Sequence, residues 1–286
     1  MDNADKGQLA GGAADVYEEF FVPALFGEWC PRVSKAAALA PGHSVLDVAC
    51  GTGVLARDAA TRVGPGGAVV GLDVNQSMLE VARRTSSAIE WKSGQAESLP
   101  FEDARFDAVV SQFGLMFFED RDAALREMWR VLRPGGRLAV AVWGSLESSP
   151  GYSAMTVLLQ RLFGDQAANA FRAPFVLGDS EPLLALFTDA GIPGAEVLTQ
   201  EGTARFPSIE SWTYTDIKGW TLADVIDDSQ YACLLAAAHE EFTTFVQGDG
   251  SVAFSVSAHI VSATKAGYVS RVGVRASPRA LACRAR

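Results

Sequence analysis

The chain has 286 residues, of which 49% are hydrophobic and 20% are charged, and its formal net charge is −10. This composition is typical of a globular protein. No apolar run reaches the roughly 18–20 residues that cross a bilayer, so we expect no membrane insertion. An acidic surface repels phosphate backbones, which argues against a nucleic-acid partner.

The two ends of the chain differ from its body. The first residues, MDNADKGQLAGG, are polar and acidic and do not resemble a signal peptide, so we expect a cytoplasmic protein. Residues 265–286 contain one Lys, five Arg and no acidic residue. We interpret this basic tail as disordered rather than as an RNA-binding or membrane-binding arm. The four cysteines lie far apart, so neither a disulfide framework nor a metal site is predicted.

The predicted elements begin with a helical segment. Residues 1–14 are predicted to be disordered, and residues 15–39 to be helical with interruptions at Pro23 and Pro31. From residue 41 onward strands and helices alternate. Strands are predicted at 45–49, 68–74, 89–91, 106–113 and 136–143, and helices at 54–62, 76–85 and 122–132. This spacing indicates parallel strands joined by right-handed crossovers.

The alternation becomes irregular after Trp143. Residues 145–178 and 208–247 are predicted to be mainly helical, and two further strands are predicted at 195–206 and 252–264. The sequence therefore predicts an α/β fold, a doubly wound, Rossmann-like seven-stranded sheet with helical cap insertions. The predicted division is an N-terminal helical segment (1–40), a central domain (41–264) with cap insertions at about 145–178 and 208–247, and the basic tail (265–286).

Doubly wound sheets bind ligands at the carboxyl ends of their strands, where the stretch VLDVACGTGVLA, residues 45–56, turns from strand to helix. Asp47 lies inside the apolar run, and small residues at Ala49, Gly51 and Gly53 follow it. A second acid, Asp73, ends the next strand. A ligand that approaches the backbone closely and carries groups attractive to carboxylates would fit this arrangement.

Two classes of ligand use a glycine-rich turn followed by an acid on the second strand, namely dinucleotides and S-adenosylmethionine. The spacing from Gly51 to Asp73 does not separate them. The third glycine of the dinucleotide motif is replaced by Ala56, and the carboxylate of Asp47 would repel a pyrophosphate. The same carboxylate would attract the ammonium group of S-adenosylmethionine, whose ribose suits Asp73. We therefore favour S-adenosylmethionine.

Five motifs, in this order and spacing, resemble those of the class I S-adenosylmethionine-dependent methyltransferases: VLDVACGTG, GLDVNQSML, GQAESLPF, FDAVVSQFGLMFF and VLRPGGRLAV. More narrowly, the chain is similar to the small-molecule group, with a methyltransferase type 11 domain, that contains the ubiquinone/menaquinone-biosynthesis C-methyltransferases. The resemblance covers roughly residues 40–145 and weakens after Trp143. It implies that residues 41–264 form a class I methyltransferase domain.

The resemblance also implies roles for individual residues. Asp47 would face the methionine ammonium, Gly51 and Gly53 would admit the methionine and ribose, and Asp73 would accept hydrogen bonds from the ribose hydroxyls. The adenine would pack against Val74 and Met78. The implied cofactor-binding residues are Tyr17, Asp47, Ala49, Gly51, Gly53, Asp73, Val74, Met78, Gln95, Ala96, Glu97, Ser111 and Gln112.

The remaining implied roles concern the adenine amino group, the transferable methyl group and closure over the cofactor. Many relatives have an acid after Gly94 that binds the adenine amino group, whereas this chain has Gln95 there. The carbonyl of Gln95 or the carboxylate of Glu97 would take that contact. Ser111 and Gln112 would border the transferable methyl group, and Tyr17 would close over the cofactor.

Structural roles are the alternatives at several positions. Asp47 could cap the strand end, and Asp73 could cap the helix that follows, although Asn75 is better placed for that. Met78 could belong to the core. Cys50 is interpreted as a packing residue rather than a nucleophile, because nothing near it in sequence clearly lowers its pKa.

No catalytic residue is assigned. Transfer from a sulfonium donor needs mainly positioning, and a general base matters chiefly for a hydroxyl acceptor. His43, His239 and His259 are interpreted as structural. Aromatic side chains on the candidate cap and after the fourth strand suit a planar or lipophilic small-molecule acceptor: Phe113, Phe117, Phe118, Trp212, Tyr214, Trp220, Tyr231, Phe242 and Phe245.

The favoured function is S-adenosylmethionine-dependent methylation of such an acceptor at carbon or oxygen. Two alternatives stay open at this point. One is a catalytically silent cofactor-binding protein, which no sequence feature excludes. The other is a nicotinamide-dependent oxidoreductase, which Asp47 and Ala56 disfavour.

Overall fold

The computed structural model describes residues 12–219, 222 and 225–267. A single sheet of seven strands forms its centre, in the order β3-β2-β1-β4-β5-β7-β6. The strands are β1 Ser44–Val48, β2 Ala68–Asp73, β3 Glu90–Ser93, β4 Phe106–Gln112, β5 Leu132–Trp143, β6 Glu196–Phe206 and β7 Val252–Thr264. The order reverses between β1 and β4, and such a switch point is where doubly wound sheets bind their ligands.

Strands β1 to β5 are parallel, as predicted, whereas β7 runs antiparallel to both of its neighbours, β5 and β6. The central strands are covered on both faces. Val45 and Leu46 of β1 and Val109 and Val110 of β4 are completely buried. Parallel strands covered on both sides need continuous apolar runs, which explains why a polar residue inside β1 is unusual. The predicted α/β seven-stranded fold is confirmed.

Ten α-helices pack on this sheet in the described part of the chain: α1 Ala13–Val16, α2 Cys30–Ala36, α3 Val54–Val63, α4 Gln76–Thr85, α5 Arg121–Val131, α6 Pro150–Phe163, α7 Asp165–Arg172, α8 Ser180–Asp189, α9 Ile209–Lys218 and α10 Asp228–Glu241. Side-chain caps fix where several of them begin. The Asn75 side chain accepts hydrogen bonds from the amides of Ser77 and Met78, and Asp120 accepts one from Ala123. Such caps satisfy amides that the first helical turn leaves unpaired.

Two segments that contain a proline differ from their predicted structure. Pro23 does not break the N-terminal segment but lies inside a π-helix, Tyr17–Phe26, whose wider turns accommodate a residue without an amide hydrogen. The stretch RPG at 133–135, which precedes the strand predicted at 136–143, already belongs to β5. It forms a bulge there, because the register with β4 shifts between Phe106 and Ala108 and Gly135 has a φ of 82°.

The helical insertions lie where the sequence predicted them. Helices α6 and α7 fall within 145–178, α9 and α10 fall within 208–247, and α6 packs against both α7 and α10. Trp212 of α9 is fully buried, with its ring centroid 4.7 Å from that of Phe254 in β7, so this insertion is anchored to the sheet.

The domain division itself stays a prediction. Trp220, residues 1–11 and most of the basic tail, 268–286, lie outside the described residues.

No helix within the described ranges is both long and apolar enough to cross a lipid bilayer.

The pairing of β2 with β3 places an indole ring against a glycine. Trp91 is the register partner of Gly71, and a Cβ atom on Gly71 would lie 2.4 Å from the Trp91 ring. We therefore expect Gly71→Ala to lower the free energy of unfolding by about 1–3 kcal/mol, the usual cost of overpacking a core. Urea denaturation would measure it.

Gly66→Ala is the matched control, because a Cβ atom there meets nothing within 4 Å. Its free energy of unfolding should stay within about 0.5 kcal/mol of that of the wild-type protein. Equal unfolding midpoints for the two variants would contradict the proposed clash with Trp91.

Candidate functional site

The turn between β1 and α3 folds back onto the end of β2. Ala49, Gly51 and Gly53 have φ angles of 57°, 54° and 88°, in the left-handed region that glycine enters without strain and alanine does not. The amide of Gly51 donates a hydrogen bond of 2.8 Å to Oδ2 of Asp73. The turn and the second acid therefore form one unit at the carboxyl edge of the sheet.

Asp73 is 8% exposed and accepts two backbone hydrogen bonds, one from Gly51 and one of 2.8 Å from Asn75. Burial raises its pKa, and these hydrogen bonds oppose the shift. The cap of α4 is Asn75, so the alternative in which Asp73 caps that helix is wrong. Each carboxylate oxygen has two acceptor positions, which leaves Asp73 able to accept further hydrogen bonds from a ligand.

Asp47 is 1% exposed, and neither of its carboxylate oxygens has a hydrogen-bond partner among the residues that the structure describes. Burial raises its pKa well above the ordinary value for aspartate, and the negative charge of Asp73 raises it further. The Ala56 amide opposes this rise in pKa, but it is not placed to form a hydrogen bond with the carboxylate. A buried, unpaired carboxylate is costly, and a bound cation would offset that cost.

Further unsatisfied polar atoms lie at the ends of the same strands. Within the described chain, Thr52 Oγ1, Ser111 Oγ and Gln112 Oε1 are buried without a hydrogen-bond partner. The Gln112 amide nitrogen donates to the Phe26 carbonyl at 3.2 Å, so its oxygen is held in place. Buried polar groups are normally paired, and such a group of exceptions beside Asp47 is expected where a polar ligand binds.

A cleft of about 310 Å³ opens above β1 and β2. Its size is typical of small-molecule sites. Six of the predicted cofactor-binding residues line it: Ala49, Asp73, Val74, Gln95, Ala96 and Glu97. The Val74 side chain is 48% exposed, which is unusual for a large apolar residue at a strand end and makes it available to a flat apolar ligand.

The loop after β4 forms the opposite wall of the cleft. Phe117 and Phe118, predicted as aromatics on the acceptor side, line it together with Glu119 and Asp120, which were not predicted. Oε1 of Glu97 accepts a hydrogen bond of 3.1 Å from the Glu119 amide, so the two walls are joined. The motif FFED at 117–120 follows the fourth predicted strand after three residues, and its position at the carboxyl edge could have identified these residues.

The other predicted residues lie outside the cleft lining. Met78 belongs to a small apolar cluster with Ala14 and Val81, against which Tyr17 packs. A Cβ atom on Gly53 would lie 2.2 Å from the Trp91 ring, so this glycine is required by a neighbouring indole. No sequence pattern predicted the contact of Trp91 with this turn, because Trp91 lies on a short strand far from the turn in the sequence.

Tyr17 lies beside both acids. Its ring stacks on Phe26 with centroids 4.8 Å apart. Burial raises the pKa of the Tyr17 hydroxyl, and the negative charges of neighbouring groups, including Asp73 and Asp47, raise it further. Tyr17 is therefore within electrostatic range of both acids but does not line the cleft, and its closure over the cofactor stays a prediction.

Arg57 of α3 connects the N-terminal segment to the turn. Its guanidinium donates to the Thr52 carbonyl at 2.7 Å and pairs with Glu18 at 2.6 Å. Arg84 of α4 forms a second ion pair, with Asp15. These contacts hold the helical segment that carries Tyr17 over the first two βα units.

The three histidines have structural partners or distant positions. Both ring nitrogens of His259 are hydrogen-bonded, one to Thr199 and one to the Gly178 carbonyl. His239 pairs with Glu210 at the surface, and His43 precedes β1, at the opposite edge of the sheet from the cleft. These positions agree with the structural roles predicted for them.

The chain is similar to known methyltransferases. A model of the ubiE/COQ5 methyltransferase family matches residues 19–160. The demethylmenaquinone methyltransferase of Staphylococcus carnosus is 36% identical over 188 residues, which cover 61% of this chain and 78% of that protein. The ubiquinone/menaquinone biosynthesis C-methyltransferase UbiE of Hahella chejuensis is 51% identical over 105 residues, which cover 35% of this chain and 42% of that protein.

The fold has solved counterparts as well. The structure of phosphoethanolamine N-methyltransferase 2 of Haemonchus contortus, which contains S-adenosylhomocysteine, superimposes with a TM-score of 0.56 at 18% identity, covering 88% of this chain and 57% of that one. At this identity the likeness shows the fold alone. The family match and the identity to the Staphylococcus carnosus protein confirm the predicted class: this chain belongs to the ubiE/COQ5 methyltransferase family and is an S-adenosylmethionine-dependent methyltransferase.

Proposed function

We propose that this chain methylates a small aromatic or lipophilic acceptor, at carbon or oxygen, and that the cleft above β1 and β2 holds the cofactor. The observation that carries the proposal is the buried, unpaired carboxylate of Asp47 beside a cleft that Asp73 lines. S-adenosylmethionine, when bound, supplies an activated methyl group on a sulfonium together with an ammonium, a ribose diol and an adenine. The residues of the site offer a partner for each of these groups.

Asp47 and Asp73 would bind different polar groups of the cofactor. Asp47, whose oxygens have no hydrogen-bond partner in the described chain, would bind the ammonium directly or through water. Asp73, held by the amides of Gly51 and Asn75, would accept hydrogen bonds from the ribose hydroxyls. Because both carboxylates are fixed before the ligand arrives, little conformational entropy is lost on binding.

The adenine would lie against the cleft walls. Exposed Val74 offers an apolar surface to one face of the ring, and Gln95 can accept a hydrogen bond from the amino group. Glu97 is the alternative acceptor, but one of its oxygens already binds the Glu119 amide. We therefore favour Gln95 for that contact.

An aromatic layer supports the proposed class of acceptor. Phe113, which directly follows β4, stacks on Trp143 at the end of β5 with ring centroids 3.6 Å apart and planes 7° apart. Phe26 lies 5.7 Å from the Phe113 ring. Ser111 and Gln112 end β4 next to this layer, and we propose that they border the methyl group. Phe117 and Phe118, which line the cleft, would match a flat apolar acceptor better than a polar amine.

The names of the relatives point in the same direction. They describe enzymes of ubiquinone and menaquinone biosynthesis and of demethylmenaquinone methylation. The family model ends at residue 160, and the two named relatives match at most 61% of this chain. We propose that the later insertions, with α9 and α10, set acceptor selectivity in this chain.

Two measurements test the function. Calorimetry should show binding of S-adenosylmethionine, and turnover with a panel of phenols, quinols and polar amines should release S-adenosylhomocysteine only with the aromatic compounds. Cofactor binding without turnover on any acceptor would indicate a silent cofactor-binding protein. Turnover restricted to polar amines, RNA or protein would contradict the proposed acceptor class.

The role of Asp73 gives one quantitative prediction. Asp73→Ala should weaken binding of S-adenosylhomocysteine by about 1–3 kcal/mol, because it removes hydrogen bonds between a charged acceptor and the ribose. Titration calorimetry on the purified variant would measure this loss.

Asp107→Ala provides a matched control at the opposite edge of the sheet. Asp107 also accepts a backbone hydrogen bond, from Ser44 at 2.8 Å, and pairs with Arg133. Its loss should cost stability but leave cofactor affinity unchanged. If Asp73→Ala bound the cofactor as tightly as Asp107→Ala does, Asp73 would not belong to the site.

The unpaired charge of Asp47 predicts a pH dependence. Its folded-state pKa is raised above the unfolded value, so the folded state binds the proton more tightly, and the stability from this group falls as pH rises toward the folded-state pKa. Asp47→Asn removes that titration. Without cofactor, the variant should therefore lose less stability than the wild-type protein between about pH 5 and pH 8 in urea denaturation, while binding S-adenosylmethionine more weakly.

Glu127→Gln should behave in the opposite way. A hydrogen bond from Arg130 lowers the pKa of Glu127, so its contribution is present above the unfolded pKa and is lost as pH falls. This variant should be less stable than the wild-type protein at about pH 8 and approach it under acid conditions. An Asp47→Asn protein with an unchanged pH profile would show that Asp47 does not carry an uncompensated charge.

A further inference from the structure

A second cavity lies between α2 and the edge of the sheet that β6 and β7 form. Its volume is about 600 Å³, which is within the usual range of small-molecule sites. It shares no lining residue with the cleft above β1 and β2. We call it the α2–β6 groove. Nothing in the proposed methyl transfer uses it.

The strand register places the floor of the α2–β6 groove on one face of the sheet. Leu198 of β6 is the partner of Ile260 in β7, and Ser262 of β7 is the partner of Ala139 in β5. Arg137 lies two residues before Ala139, so its side chain is on the same face. Leu198 is 57% exposed, so the described chain leaves this apolar surface open.

Positive charge is concentrated in the groove, although the chain as a whole carries a net charge of −10. Arg32, Lys35 and Arg137 line it. Its described lining contains a single carboxylate, that of Glu196. Arg32 forms an ion pair with Glu28, which compensates part of its charge. Neither Lys35 nor Arg137 forms an ion pair within the described residues, so two cations lack a counter-charge.

The guanidinium of half-buried Arg137 is incompletely satisfied. One of its terminal nitrogens donates to the Ser262 hydroxyl at 3.2 Å, whereas its Nε is buried without a hydrogen-bond partner in the described chain. Holding a cation partly out of water without a counter-charge costs free energy. An anion in the groove would offset that cost, and the exposed ammonium group of Lys35 on α2 would attract the same anion.

We propose that the α2–β6 groove binds a phosphate monoester that has an apolar body. The phosphate would lie between Lys35 and Arg137, and the apolar body would lie on Leu198 and Ile260. A phosphate monoester carries a charge of about −1.5 to −2 at pH 7. This charge matches two cations that lack a partner better than the single charge of a carboxylate does. Arginine and lysine both bind phosphate groups in proteins.

Three probes test the proposal by titration calorimetry on the full chain: hexyl phosphate, inorganic phosphate and hexanol. We expect hexyl phosphate to bind at least about tenfold more tightly than inorganic phosphate, because part of its alkyl chain is buried on the floor of the groove. Hexanol, which lacks the charge, should bind at least about tenfold more weakly than hexyl phosphate. Added salt should weaken binding of hexyl phosphate.

Three variants locate the binding. Lys35→Gln and Arg137→Gln should each weaken binding of hexyl phosphate at least about fivefold, because each removes one cation from the phosphate. Leu198→Ser should reduce the preference for hexyl phosphate over inorganic phosphate to less than about threefold, because it removes apolar surface from the floor. Lys35 and Leu198 are exposed, so these two variants should fold normally.

Arg83→Gln is the matched control. It removes the same charge as Arg137→Gln does, but Arg83 is exposed on α4, which packs beside β2 and β3 at the other end of the sheet. This variant should bind hexyl phosphate with wild-type affinity.

A soluble ester and a lipid headgroup present the same phosphate chemistry, and vesicles separate these two sources. The full chain would be sedimented with phosphatidylcholine vesicles that contain phosphatidic acid. Sedimentation that Lys35→Gln abolishes would support a lipid headgroup as the natural ligand. Binding of hexyl phosphate without sedimentation would support a soluble ester.

Three results would overturn the proposal. Hexyl phosphate could bind no more tightly than hexanol, or it could bind equally well to the wild-type protein, Lys35→Gln and Arg137→Gln. It could also compete with S-adenosylhomocysteine, which would place it in the cleft above β1 and β2. Failure of the proposed function would look different, since S-adenosylmethionine would then not bind or would not be consumed, while binding of hexyl phosphate would be unaffected.

Discussion

A carboxylate buried inside a parallel sheet constrains everything around it. Asp47 sits between strands whose other central positions are apolar, and burial favours its protonated form. The chain gives it no hydrogen-bond partner among the described residues, although amides of the neighbouring turn are nearby. Binding of a positively charged ligand offsets the free-energy cost of burying this carboxylate. The feature that destabilises the protein without ligand therefore provides affinity and selectivity for a cationic cofactor.

The surrounding structure holds this acid and its partner, Asp73, in fixed positions. Left-handed residues bend the turn so that the Gly51 amide reaches Asp73, and the Trp91 ring fills the space beside Gly53. Arg57 connects the turn to the N-terminal helical segment, which places Tyr17 near both carboxylates. Each contact is modest alone, but together they prepare the site before the ligand binds, which reduces the entropy lost on association.

Much of this arrangement could be predicted from the sequence because its causes are local. The βα alternation follows from hydrophobic periodicity, the Asn75 cap from residue type, and the position of Asp47 and Asp73 from the rule that parallel strands end at one edge. Neither the unpaired state of Asp47 nor the cleft could be predicted from local sequence pattern. Both depend on which helices cover the sheet.

The positions that differ from expectation share one origin, contacts between residues far apart in the chain. Gly53 was interpreted as making room for a ligand, whereas its Cβ position is taken by Trp91, 38 residues later in the sequence. Residues 133–135 were placed before the fifth strand, but pairing with β4 incorporates them into β5 as a bulge.

The antiparallel strand β7 has a consequence for how the protein forms. Its residues come last among the seven strands, yet it inserts between β5 and β6 and supplies the only strand partner that β6 has in the described sheet. During synthesis, β6 and the helices α9 and α10 must therefore leave the ribosome before the strand that joins them to the parallel sheet exists. The cofactor half of the sheet can assemble early, whereas β6 can join the sheet only after β7 has left the ribosome.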